Sequence, residues 1–317
     1  MKKIFAYFYP RGNMEFNLDK FKHLDYVNYS FGHVKDGVLS TERLGQLDEL
    51  VNLNGRNFKI TLSIGGWGAD GFSDAVIDDA SINKFVSSIV SYMKEHKLDG
   101  IDIDWEYPGI PGGGIKARKE DKYRFTSFIK VLKEEMIKVK KDSILTIAVG
   151  AWEECARYLE GEKLDKYIDY LNIMTYDMQD RGMTISHHTN MYPSPYSNMS
   201  GSEAVDIFVK CGFTKEKMVL GSAFYGKCMS MDKTKKPARE GYPYKEIVNL
   251  EGYEYKFDDE AKAPLLIKGT EYITYDNRDS VKAKCDYINK YNLSGIMFWE
   301  LNGDNGDLVD EMYKNLK

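Results

Sequence analysis

The 317-residue sequence predicts an α/β protein, a closed (β/α)8 barrel carrying one small α+β insertion. Three observations carry that expectation. Eight short runs of β-branched, apolar or aromatic residues recur along the chain. Helical spacing fills several of the intervals between them. A single stretch late in the chain breaks the alternation.

The runs are residues 4–9, 26–31, 58–64, 100–105, 144–151, 170–175, 218–224 and 295–299. Most are continuously apolar rather than alternating, which is the pattern of strands buried on both faces in a parallel sheet. Between the third and fourth runs, Ile82, Phe85, Val86, Ile89 and Met93 follow a 3.6-residue period. Between the fourth and fifth, Phe125, Phe128, Ile129, Leu132 and Met136 do the same. Parallel strands joined by right-handed helical crossovers close into a barrel when there are eight of them. From Cys228 to about Ile273 both periods fade and Tyr- and Lys-rich segments take over. Residues 228–272 are therefore read as the insertion, and residues 1–227 with 273–317 as the barrel.

Composition bounds the function. A content of 43% hydrophobic and 13% aromatic residues excludes a disordered chain, and the net charge of -5 is spread without long runs. No nucleic-acid or membrane partner is expected, and the chain is read as a monomer. Cys155, Cys211, Cys228 and Cys285 lie far apart with no CxxC spacing, which fits reduced thiols rather than a zinc site or a disulfide framework. Neither metal nor cofactor is expected. The opening Met-Lys-Lys resembles the start of an export signal, but the apolar run after it is short and lacks a small-residue cleavage site, so it is read as the first strand. Location stays open at this point, outside the cell if a signal has been removed.

The fourth run ends Asp99-Gly-Ile-Asp-Ile-Asp-Trp-Glu-Tyr-Pro108. Alternate residues of a strand share a face roughly 6.6 Å apart, so Asp102, Asp104 and Glu106 form a ladder of three carboxyl groups. Mutual repulsion and burial should raise the pKa of at least one of them, leaving an acid able to donate a proton near neutrality. A polar face meeting water explains most alternating acidic strands. Here Trp105, Tyr107, Pro108 and a Gly-rich loop at 109–114 surround the acids, and a solvated edge needs none of these. Barrel sites form at the C-terminal ends of the strands. Those ends carry Tyr7, Tyr9, Phe31, Ser63, Gly65, Gly66, Trp67, Tyr176, Asp177, Tyr225, Trp299 and Glu300. Aromatics and carboxyl groups around one mouth describe a carbohydrate site. His187 and His188 fall in a Ser-, Thr- and Asn-rich loop and are read as solvated.

The pattern Asp99-x-x-Asp102-x-Asp104-x-Glu106 resembles the signature of glycoside hydrolase family 18, the chitinase family, whose fold is the TIM barrel. Further matching motifs are Ser63-x-Gly65-Gly66, Met174-Thr175-Tyr176-Asp177, Phe224-Tyr225-Gly226 and Trp299. The resemblance implies substrate-assisted retaining hydrolysis of chitin or chitooligosaccharides, in which the sugar's 2-acetamido oxygen is the nucleophile. It implies Glu106 as general acid and base, and Asp104 as the group that turns between Asp102 and the acetamide. Tyr176 and Asp177 would hold the acetamide, Trp299 would floor the sugar site and Trp67 would stack the next sugar. Tyr7, Phe31, Met174, Tyr225, Lys227, Gly66 and Tyr107 complete the implied substrate surroundings. Asp99 lies out of phase with the ladder and, with Ser63 and Gly65, is assigned a structural part. The resemblance also implies non-proline cis peptides at Ser30-Phe31, Glu106-Tyr107 and Trp299-Glu300, and an inserted wall that favours chains. Lys227 replaces a common Arg, and Met178-Gln179-Asp180 departs from the usual run. The same motifs are compatible with an endo-β-N-acetylglucosaminidase and with a peptidoglycan or cortex hydrolase. A non-catalytic chitin-binding lectin, the remaining alternative, would keep the aromatic ring but lose the acid, and Glu106 is intact.

Overall fold

In the computed structural model, which describes residues 1–12, 14–42 and 44–317, the eight apolar runs are eight parallel strands. They are β1 (Lys3–Phe8), β2 (Tyr26–Lys35), β3 (Lys59–Gly65), β4 (Gly100–Asp104), β5 (Ile144–Gly150), β6 (Tyr170–Met174), β7 (Met218–Ala223) and β8 (Gly295–Trp299). Each pairs with the next, and β1 pairs with both β2 and β8, so the sheet closes on itself. A short strand, Val38–Ser40, folds back antiparallel on the end of β2.

The two helical periods read from sequence form the helices Asp79–Glu95 and Asp121–Val139. The residues that set each period are the ones these helices bury against the outer face of the barrel. Inside, the residues of alternate phase make their own core. Phe5 stacks on Tyr26 with ring centroids 4.5 Å apart, and Tyr170 packs edge-on to both. Above this apolar plug lie Tyr7, Asn28, Thr61, Asp102, Thr146 and Asn172, all buried. A polar layer in a sealed interior is stable only when its groups satisfy one another. Most of these do so around Asp102.

The second sheet has five antiparallel strands, Gly241–Pro243, Tyr225–Ser230, Glu271–Thr274, Ala263–Lys268 and Glu254–Asp258, in that spatial order. It takes in residues at both ends that the sequence reading left in the barrel, since Tyr225 already pairs with Pro243 and Thr274 with Lys227. The boundary was invisible in the sequence because the apolar run of β7 passes into the next strand with no turn residue between them. Phe224 still bonds to Trp299 of β8, and the chain changes sheet at the following residue. Cys155 and Cys285 are buried, Cys211 and Cys228 are partly buried, and all four are free thiols. Among the described residues no helix is long and apolar enough to cross a membrane.

Candidate active site

The mouth of the barrel is organised around Asp102, which is fully buried. Its register places Ser63 and Thr146 on the flanking strands beside it. Ser63 Oγ donates to Oδ2 at 2.7 Å and Tyr7 Oη at 3.0 Å, while Thr146 Oγ1 and Asn172 Nδ2 donate to Oδ1. Four donors from four other strands offset much of the cost of holding this carboxyl out of water, though burial still leaves its pKa raised.

Asp104, one step up the ladder, has no such shell. Its Oδ1 is buried without a hydrogen-bond partner. Burial, the Glu106 charge and the Asp102 charge all push its pKa well above the carboxylate range. The backbone at Asp104 is held by the third-strand motif, where Gly66 N donates to the Asp104 carbonyl at 2.9 Å. Gly65 has φ +125°, and a Cβ there would lie 2.0 Å from the same carbonyl oxygen. Only glycine fits. Gly65→Ala is expected to lower stability by about 2 kcal/mol or more and to displace Asp104, read as a lower denaturant midpoint with lost activity.

The strand ends at Asp104, so Glu106 stands in the turn beyond it rather than on the strand itself. Burial lifts its carboxyl to about 7, with a hydrogen bond from Tyr107 opposing the rise and the Asp177 charge adding to it. Trp105 points the other way, stacked on Phe72 in the outer core at 5.2 Å. The peptides Ser30-Phe31, Glu106-Tyr107 and Trp299-Glu300 are cis, as the resemblance implied.

Two further groups face the acids. Tyr176 and Asp177 follow β6, with Met174 beneath them in the interior core and Asp177 in the left-handed region at φ 60°. The Asp177 Oδ1 accepts from Tyr225 Oη at 2.5 Å and from Lys227 Nζ at 2.8 Å, with His188 Nδ1 at 3.6 Å. Burial works to raise the Asp177 pKa, but His188 and Lys227 more than reverse this and hold it ionised. On the other side, Trp299 stacks on Phe31 at 5.4 Å and tilts against Tyr7 and Tyr9. Phe31 thus backs the indole and in turn packs where a Gly66 side chain would otherwise be. A cavity of about 550 Å³ opens beside Trp299 and Tyr225, walled by Tyr242 and Pro243 of the inserted sheet and by Arg11, Arg239 and Glu300.

Two residues lie apart from this cluster. Trp67 is 68% exposed and sits against Gly112 and Gly113 of the Gly-rich loop. Asp99 is at the foot of β4, ion-paired with Lys140 and Arg56 and accepting from Ile60 N. Sequence reading missed Thr146 and Asn172, although each is a polar residue at an inward position of an apolar strand. It also misread the histidines. His187 and His188 are fully buried, because their loop packs under the inserted sheet, where His187 Nε2 meets Asp258 at 3.0 Å and His188 N donates to Thr274. Composition of the loop gave no sign of this. Among the described residues no group of three or more His, Cys, Asp or Glu could hold a metal ion.

The model for glycosyl hydrolases family 18 matches residues 3–304. Chitinase A1 of Niallia circulans is 30% identical over 309 residues, covering 86% of this chain and 44% of that protein. Sporulation-specific chitinase 2 of Saccharomyces cerevisiae is 29% identical over 343 residues, covering 92% of this chain and 64% of that protein. The chain thus spans between 44% and 64% of the length of these two curated relatives. Among solved structures, a family 18 N-acetylglucosaminidase from Paenibacillus barengoltzii superposes with a TM-score of 0.93 at 33% identity, each chain covered completely. A multi-modular cell-surface chitinase of another Paenibacillus superposes at 0.89 with 30% identity, over 99% of this chain and 42% of that one.

Proposed function

The chain belongs to glycosyl hydrolases family 18, and from that premise we propose that it hydrolyses β-1,4 bonds between N-acetylglucosamine units, with retention and with the substrate's own acetamide as nucleophile. The observation that carries this reading is Asp104, whose buried Oδ1 has no partner directly below a Glu106 lifted to about 7. A neutral, shielded Asp104 is a poor nucleophile, which argues against the two-carboxylate scheme of most retaining glycosidases. It is well suited to accept an N–H once it ionises.

In this mechanism Glu106 protonates the glycosidic oxygen while the acetamide oxygen attacks the anomeric carbon. Asp104 leaves its proton with Asp102, turns as a carboxylate towards the acetamide N–H and stabilises the positive charge that develops on the oxazolinium ion. Tyr176 Oη and Asp177 hold the acetamide from the far side, above Trp299. Water then attacks, and Glu106, now ionised, takes its proton. Lys227 tunes the subsite through its bond to Asp177, as a point charge where an Arg would offer a fork. The exposed Trp67 stacks the sugar beyond the scissile bond, and the inserted segment walls a groove for chains.

Because Glu106 must begin protonated, kcat/KM should fall as pH rises through about 7. A profile on a fluorogenic chitotrioside, flat from pH 6 to 9, would refute this. The complete mutual coverage with an N-acetylglucosaminidase favours a second reading, release of single sugars from a chain end. Product analysis on chitotetraose decides between them: disaccharides support internal or dimer-releasing action, and monosaccharide from the outset supports the second reading. Faster turnover of an N-glycan or of peptidoglycan in parallel assays would reassign the substrate, and oligosaccharide binding without turnover would make the protein a lectin.

A further inference from the structure

Outside the substrate groove, one ion pair among the described residues is wholly shielded from solvent. Lys284, on the helix Arg278–Tyr291, places Nζ 2.6 Å from Oδ2 of Asp276, and both side chains have no exposure. Such a pair adds little stability, since two apolar residues of similar volume are commonly as stable or more so. Its position is informative because of what else it holds.

Asp276 Oδ2 accepts from Ser222 Oγ at 2.8 Å and Ala223 N at 2.9 Å, and Oδ1 accepts from Ser280 Oγ at 2.7 Å. Lys284 Nζ also donates to Thr189 Oγ1 at 2.7 Å. The single proton of that hydroxyl is divided between Asp276 Oδ2 at 2.9 Å and the Thr175 carbonyl at 3.2 Å. Apart from Ser280, on the same helix as Lys284, these contacts end beside the site. Thr175 precedes Tyr176 and Asp177, Ser222 and Ala223 lie just before Tyr225, and Thr189 follows His188. Thr175 is fixed a second time, since its Oγ1 donates to the Gly221 carbonyl and accepts from Gly221 N. One pair thus joins the ends of β6 and β7, the histidine loop and a helix on the outside of the barrel.

We infer that the Lys284–Asp276 pair, acting through Thr189, is a positioning hub that sets Tyr176, Asp177 and Tyr225 against one another for the reaction. The inference deepens the proposed hydrolase reading and rests on it. None of the three hub residues is among those assigned to touch substrate. Their effect is on geometry that matters most in the transition state, and so on kcat rather than KM.

The test compares wild type with Thr189→Val, Thr189→Ser and the double variant Lys284→Met/Asp276→Asn, assayed well below their melting temperatures. Thr189→Val is expected to lower kcat on chitotrioside about tenfold with KM within twofold, and Thr189→Ser to restore it. The double variant is expected to lose at least as much kcat while keeping its Tm within a few degrees of wild type. Affinity for a thiazoline analogue of the oxazolinium ion, read without turnover, should fall about tenfold in Thr189→Val. Wild-type kcat and analogue affinity in Thr189→Val would overturn the hub while leaving the hydrolase reading intact. A wild type that neither turns over chitooligosaccharide nor binds the analogue would overturn that reading and the hub with it. If the double variant fails to fold, the Thr189 pair alone decides, because it leaves both charges in place.

Discussion

Replacing Glu106 with Gln is expected to lower kcat on a chitooligosaccharide about a thousandfold while leaving binding nearly unchanged. Gln keeps the shape of the side chain and loses only the proton that the leaving oxygen requires and the base that water requires. General acid and base steps contribute 10²- to 10⁴-fold each, and here one residue performs both. Turnover persisting in this variant would remove Glu106 from the mechanism. The same change should stabilise the protein at alkaline pH. The folded carboxyl titrates at about 7, above its ordinary value of 4.5, so wild type is penalised for carrying this charge as pH rises between the two. The raised pKa means that its stabilising share is complete below about 4.5 and gone above about 7. Gln carries no such penalty, and a gain on the order of 2 kcal/mol at pH 8, fading by pH 4, should appear as a higher Tm only at the upper pH.

Replacing Asp104 with Asn is expected to cost about a hundredfold in kcat and to shift the acidic limb of the pH profile. The charge that Asp104 would present to the oxazolinium ion is lost, which fits the magnitude seen when one preorganised electrostatic partner is removed. In wild type the Asp102 and Asp104 pair takes up a further proton as pH falls, and its apparent pKa belongs to the pair. With Asn at 104 only Asp102 remains to titrate, held by Ser63, Tyr7, Thr146 and Asn172. The limb should therefore move from a value that belongs to the pair to one that belongs to Asp102 alone. A variant with an unmoved limb would show that the two acids are not coupled.

The parts of the site legible in the sequence are those with a local signature. The carboxyl ladder of β4 declares itself because period two is the geometry of a strand. The Gly65-Gly66 pair declares itself as part of a matching motif, and the structure gives the reason, since a side chain at Gly65 would strike Asp104 and one at Gly66 would strike Phe31. The helix faces at Ile82 to Met93 and at Phe125 to Met136 are equally plain. What escaped was set by contacts between distant segments. Asn172 and Thr146 look like ordinary polar interruptions until the barrel closes and aims them at Asp102. His188 sits in a loop of solvent-seeking composition, yet the inserted sheet covers it completely. Asp276 precedes the helix Arg278–Tyr291 and lies eight residues from Lys284, so nothing local pairs them, and only the strand ends at Thr175 and Ser222 make them interior. The insertion boundary failed for a related reason, since Tyr225 serves the catalytic mouth and the second sheet at once.

The shell around Asp102 also has a bearing on how the chain reaches its native state. Its donors come from Tyr7, Ser63, Thr146 and Asn172, and the bond between Tyr7 and Asn172 spans 165 positions. Until the first and sixth strands are both in place, that carboxyl is an incompletely solvated charge in the making. Partial barrels are therefore penalised where they would otherwise gain most from burial, which favours all-or-none assembly with a high contact order. A fragment ending after β4 should stay open and bind hydrophobic dye, and slow refolding of the whole chain should be the ordinary cost of building this site.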